Sequence, residues 1–125
     1  MEQSLYHRLG GYDAIAGVID EMFSRLRCDP QFQRFGVGRS VDSHNRSRQL
    51  LVDQICALAG GPCLYLGRNM KTSHGGLAIT TSEWDANMRH TIDSLEKFHI
   101  PQREQQEFLE LFTRYKSDIV EKGES

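Results

Sequence analysis

The spacing of apolar residues between Asp13 and Leu26 constrains this chain most. Ile15, Val18, Ile19, Met22, Phe23 and Leu26 fall at offsets of 0, 3, 4, 7, 8 and 11. That pattern draws one apolar stripe along a helix and matches no strand. Such a stripe has to be buried against another element. Three more segments offer partners. Leu50, Leu51, Ile55 and Leu58 mark a helix starting near Asp42 or Ser43 and running to Ala59, with Ser47 and Gln54 near the same face. Trp84, Met88, Ile92, Leu95 and Phe98 mark a third helix, opened by a Thr80/Glu83 capping box and closed at His99-Ile100-Pro101. Phe108, Phe112, Tyr115 and Ile119 mark a fourth, expected from about Gln102 to Val120.

Short pieces connect them. "SLYHRL" reads as a separate turn cut off by Gly10-Gly11, and "DPQFQRF" as a short helix with Asp29 as cap and Pro30 in its first position. Gly36 to Asn45 reads as a loop. No segment alternates as a strand would. The expectation is one all-α domain over residues 1–125, frayed from about residue 121. One connection does not fit an ordinary bundle. Gly60 to Ile79 spans 20 residues, whereas helix–helix loops run to roughly 8. It carries Tyr65, Met70, Leu77 and Ile79, which are apolar enough to pack against something.

Composition narrows the function. Net charge is −2 with a pI of about 6.2, which argues against nucleic acid or an anionic membrane as partner. No apolar run is long enough to span a bilayer, and the N-terminus shows no secretory pattern. Cys28, Cys56 and Cys63 form no CxxC pair and read as free thiols in a reducing cytoplasm. Apolar residues are only 38% of the chain and mean hydropathy is −0.52, so the core is thin and a bound apolar ligand could supply part of it.

Five histidines are present, without HxxxH spacing or a Cys/His cluster suited to closed zinc. Arg34, Arg39, Arg46 and Arg48 form a loose basic patch, read as solvated surface rather than an anion site. His74 differs in its setting: it ends the polar turn "RNMKTSH" and is followed by Gly75-Gly76. Haem needs only one protein nitrogen, and glycines after it let the backbone pass close to a flat ring. From the residues alone, an ordinary loop or core histidine is the commoner outcome.

Four blocks decide between these readings: "LYHRLGGYDAI", "DPQFQRF", "LAGGPCLYLGRNMKTSHGGLAIT" and the junction at Pro101. In this order they resemble the truncated haemoglobins, group I in particular, over essentially the whole chain. The resemblance implies a two-over-two helical sandwich, B and E helices over G and H, enclosing haem b, with a short F turn inside the long connection. It implies His74 as the iron's proximal ligand. Tyr65, Arg68 and Lys71 fall where the propionates would be met, though surface solvation would also explain the two charges. Phe35, Met70, Leu77 and Ile79 would line the ring, with Phe32 as the alternative stacking phenylalanine.

The distal side departs from the family pattern. The B-helix position that is often tyrosine is Phe23 here, and the usual polar E-helix positions fall on Ser47 and Leu51. Leu50 stands where some relatives carry an internal sixth ligand, which leucine cannot be. Gln54 is the best remaining hydrogen-bond donor and Ser47 the second; the plain alternative for Gln54 is a partly exposed helix residue. His44 precedes Ser47 by one turn and would reach the iron only if that helix start rearranged. The resemblance implies reversible binding of O2, CO or NO in an unusually apolar pocket, with oxygen transport among the roles. The competing readings are an enzyme converting oxygen and nitric oxide to nitrate with an external reductase, and a haem-free helical interaction module. A cytoplasmic monomer is expected.

Overall fold

A computed structural model describes residues 3–35, 40–63 and 79–120. It contains α1 (Leu5–Leu9), α2 (Tyr12–Cys28), a 3-10 helix (Pro30–Phe35), α3 (Val41–Leu58), α4 (Thr81–Lys97), α5 (Gln102–Thr113) and α6 (Lys116–Ile119). The all-α expectation holds. Local chemistry sets the helix starts. Ser4 and Ser40 accept the backbone N–H groups of His7 and Ser43, and Thr80 and Glu83 close a complete capping box.

Helix ends follow one design. At the end of α3, the Gly61 N–H donates to the Cys56 carbonyl and the Gly60 N–H to that of Ala57, with Gly60 at φ +92°. These are the paired reverse bonds of the left-handed helix stop. α4 ends the same way: the Ile100 N–H donates to Leu95 and the His99 N–H to Glu96, with His99 at φ 58°. Pro101 then prevents continuation.

The last helix is shorter than its periodicity predicts. α5 stops at Thr113, and a turn through Arg114 and Tyr115 leads into α6. The Tyr115 N–H reaches back only three residues, to Phe112, and the Thr113 hydroxyl donates to the Leu109 carbonyl. A threonine bonding back into its own helix competes with the regular ladder there.

α2 is the centre of the fold. It packs on both α3 and α4, and α4 packs on α5, while α1 rests on α2 and α5. Ile15, Val18, Ile19 and Met22 from α2 meet Val52, Ile55 and Cys56 from α3, Leu95 from α4, and Phe108 and Leu111 from α5. Polar ties reinforce this. Arg8 joins α1 to Glu104 and Glu107 of α5, Lys97 joins α4 to Glu21, and Arg48 joins α3 to Asp20. Among the described residues, direct packing of α3 on α4 or α5 is slight. Helices α3 and α4 therefore share α2 without closing on each other.

Candidate functional site

The stripe Ser47, Leu50, Leu51, Gln54 repeats at three- and four-residue steps, so these residues share one side of α3. Two ties hold that helix in rotation: the Gln49 amide donates to the Tyr12 hydroxyl, and Arg48 Nε donates to Asp20 at 2.8 Å. Leu51 is half-buried and packs on the core edge, as does Phe23 from α2. Ser47 and Leu50 are also half-buried. Gln54 is only 8% exposed. No hydrogen bond to its side chain is found among the described residues, and its amide is not among the fully buried polar atoms left without a partner, so the amide end keeps some solvent contact and its donors stay available. Gln54 is thus not the partly exposed residue of the plain alternative.

The 3-10 helix brings Phe35 to the same end of the molecule as the start of α4. Phe35 is half-buried, with the Arg34 guanidinium 4.0 Å above its ring centroid, and Phe32 stands 6.1 Å from Phe35 and from the His90 ring. Three contacts strap this short helix to α4. Arg34 donates from Nε and Nη2 to Glu83 at 3.0 and 2.7 Å. The Gln31 amide donates to the Ser82 hydroxyl at 3.2 Å. Asp29 meets His90 at 2.8 Å. The Arg34 hydrogen bonds hold the buried Glu83 carboxyl below the usual carboxylate range, against desolvation that pushes it up. Arg34 is raised by the same pairing. His90, then the Gln31 backbone N–H, lowers Asp29.

Ile79, half-buried, sits just before the Thr80 cap. Tyr65, Arg68, Met70, Lys71, His74 and Leu77 lie outside the described residues. His44 is half-buried in the first turn of α3, its N–H bonded to Ser40. Among the described residues no group of three or more His, Cys, Asp or Glu is placed to hold a metal ion. The basic patch is partly neutralised, since Arg34 and Arg48 are paired with carboxylates; Arg39 lies outside the described residues.

Two features escaped the sequence reading. The first is the strap: Arg34 read as solvated surface and Glu83 only as a cap, because a 49-residue separation hides their pairing. The second corrects an expectation. Cys56 and Cys63 are disulfide-bonded, seven residues apart, and only Cys28 is free and exposed. The reason is the α3 stop. Gly60-Gly61-Pro62 reverses the chain and returns Cys63 to Cys56 with 5.8 Å between Cα atoms. A cysteine on either side of a Gly-Gly-Pro stop was the available signal.

The arrangement fits a flat, mostly apolar group entering beside α3. Among the described residues α3 and α4 stand apart on α2, Phe23, Leu50, Leu51 and Phe35 are each only half covered, and the Gln54 amide has no hydrogen-bond partner. The bacterial-like globin family profile matches residues 4–121. The group 1 truncated haemoglobin of Mycolicibacterium paratuberculosis is 31% identical over 106 residues, which cover 85% of this chain and 76% of that protein. The fold is similar to the ferric truncated haemoglobin of Tetrahymena pyriformis, with a TM-score of 0.85 at 21% identity over 94% of this chain and 98% of that one. It is also similar to the Synechococcus 2/2 haemoglobin, solved in the cyanomet state with covalently attached haem, with a TM-score of 0.84 at 21% identity and the same coverage. The chain belongs to the bacterial-like globin family and, within it, to the truncated haemoglobins of group 1.

Proposed function

We propose that this chain binds haem b through His74 and reversibly takes up small diatomic ligands, O2, CO or NO, in a pocket short of hydrogen-bond donors. The observation that carries this reading is that Phe23 and Leu51 are apolar and half-buried at the core edge, with Gln54 buried on the same side of α3 as Leu51 and hydrogen-bonded to none of the described residues. Bound haem supplies an iron coordination position for the ligand. Everything else is the work of the chain. His74 would hold the iron through its imidazole, and Tyr65, Arg68 and Lys71 would meet the propionates. Phe35, Met70, Leu77 and Ile79 would pack against the ring. Phe23 and Leu51 exclude water, and neither can donate a hydrogen bond. The Gln54 amide is the nearest candidate donor, with the Ser47 hydroxyl second. Carriage in the cytoplasm by a monomer, with an external reductase keeping the iron ferrous, completes the reading.

The test is a visible spectrum. Purified protein, with haem added if needed, should show a Soret band, and His74→Ala should lose the band or release haem to a competing apoglobin. A wild-type protein that takes up no haem overturns the reading in favour of a haem-free module. An unchanged spectrum in His74→Ala overturns the assignment of the ligand.

A further inference from the structure

Cys56 and Cys63 lie at the foot of α3, where the chain leaves the helix. Their approach is set by backbone. The Gly60 and Gly61 N–H groups bond back to Ala57 and Cys56, and the Tyr6 N–H of α1 donates to the Ala59 carbonyl at 2.8 Å. Gly61 is wedged in place: a Cβ there would collide with the Tyr6 ring and lie 2.8 Å from Cys56 Sγ. The six-residue turn from Cys56 to Gly61 thus reverses the chain by backbone bonds of its own, two residues short of Cys63, and the 5.8 Å between the two Cα atoms falls inside the range a disulfide accepts.

The two sulfurs differ in access. Cys56 has no solvent exposure and belongs to the core, while Cys63 is half-buried at its edge. An incoming molecule meets Cys63 first.

We propose that Cys56 and Cys63 form a reversible thiol–disulfide site for low-molecular-weight disulfides of the glutathione class, with Cys63 as the entry sulfur and Cys56 as the resolving one. In oxidation, the Cys63 thiolate attacks glutathione disulfide, forming a Cys63–glutathione bond and releasing one glutathione thiolate. The Cys56 thiolate then attacks Cys63 Sγ, forming the internal bond and releasing the second glutathione. Two protein thiols are oxidised and one glutathione disulfide is reduced to two thiols. Reduction runs through the same steps backwards. The closed form clamps the last turn of α3 to the chain that leaves it.

The experiment uses the full chain carrying Cys28→Ala, which removes the exposed free thiol outside the pair. Native protein is equilibrated in glutathione buffers from reduced to oxidised, alkylated quickly and weighed. The proposal expects a switch from two alkylated cysteines to none with a loss of two hydrogens, reversed on return to reduced buffer while helicity is kept. Cys56→Ser should trap one glutathione, and Cys63→Ser should trap little. Should Cys56→Ser fail to fold, peptide mapping of the reduced parent decides, with Cys63 alkylated well before Cys56. Two alkylations in the most oxidising buffer overturn the proposal. So does a bond that opens only on unfolding, or alkylation of Cys56 first.

Discussion

Helices α3 and α4 make an informative pair. They have similar lengths, 18 and 17 residues, both lean on α2, and both finish in the same left-handed stop. Yet α4 is served on two sides, by α2 and α5, and buries Trp84, Leu95, Thr91 and Ser94. Its buried Thr91 and Ser94 donate to the carbonyls of Asn87 and His90, although the Asn87 side-chain oxygen is itself buried without a partner among the described residues. Among the described elements α3 has only α2 as a broad partner, leaves Leu50 and Leu51 half covered, and buries Gln54 without a hydrogen bond to a described residue. The difference teaches which side of the fold is self-sufficient. Among the described residues, the α4 side is core built by the chain itself, while the α3 side keeps apolar residues that those residues leave half covered.

The sharpest way to break this comparison is to truncate one leucine on each side. Leu95→Ala empties a fully buried site and should cost roughly 2–5 kcal/mol, equally with and without haem. Leu51→Ala should cost less in the haem-free protein and become more costly when haem is bound. Urea unfolding of both forms measures it, and equal losses for Leu51→Ala in the two forms would erase the distinction. Next in size is Phe23→Tyr, which returns a hydroxyl to the α3 side. A hydrogen bond to a partly negative ligand is worth roughly 1–3 kcal/mol, so oxygen should leave about 5- to 140-fold more slowly, with a smaller effect on carbon monoxide. Flash photolysis and stopped-flow replacement give both rates, and an unchanged oxygen off-rate removes the missing hydroxyl from the account.

The smallest expected effect compares the two helix stops. The left-handed position is glycine at Gly60 and histidine at His99. A side chain in that conformation costs roughly 1 kcal/mol. Gly60→Ala should therefore destabilise by about that amount or more, because its Cβ would also press on Ser4 at 3.1 Å. His99→Gly should stabilise by up to about 1 kcal/mol, less the freedom a glycine adds to the unfolded chain. Thermal melts of the two variants should move in opposite directions.

Much of this was legible in the residues. The α2 stripe, the Thr80/Glu83 box and the Gly-Gly stops follow from spacing and local hydrogen bonding, which a chain carries along its length. The α5 break at Thr113 was not, because apolar spacing continues through Tyr115 and Ile119 while the backbone ladder does not. For the site, Phe23, Leu51 and Gln54 are assigned to the distal pocket by the family resemblance; Phe23 and Leu51 stand at the core edge and Gln54 is buried, and their role rests on the oxygen-release test. His74 falls outside the described residues and rests on its own test.

What remained hidden depends on chain segments meeting. Periodicity decides that α3 and α4 are helices, but not that they stand apart on α2, since packing angles follow from every side chain in contact at once. Charge counting finds Arg34 and Glu83 but not their pairing across 49 residues, which straps Phe35 beside the start of α4. Gly60-Gly61-Pro62 announces a helix stop, and only the folded turn shows that it carries Cys63 back to Cys56. Local rules act over a few residues and survive in any context. Closure of distant surfaces is a property of the whole fold, and here it decides which apolar faces the chain covers itself and which it leaves for a partner.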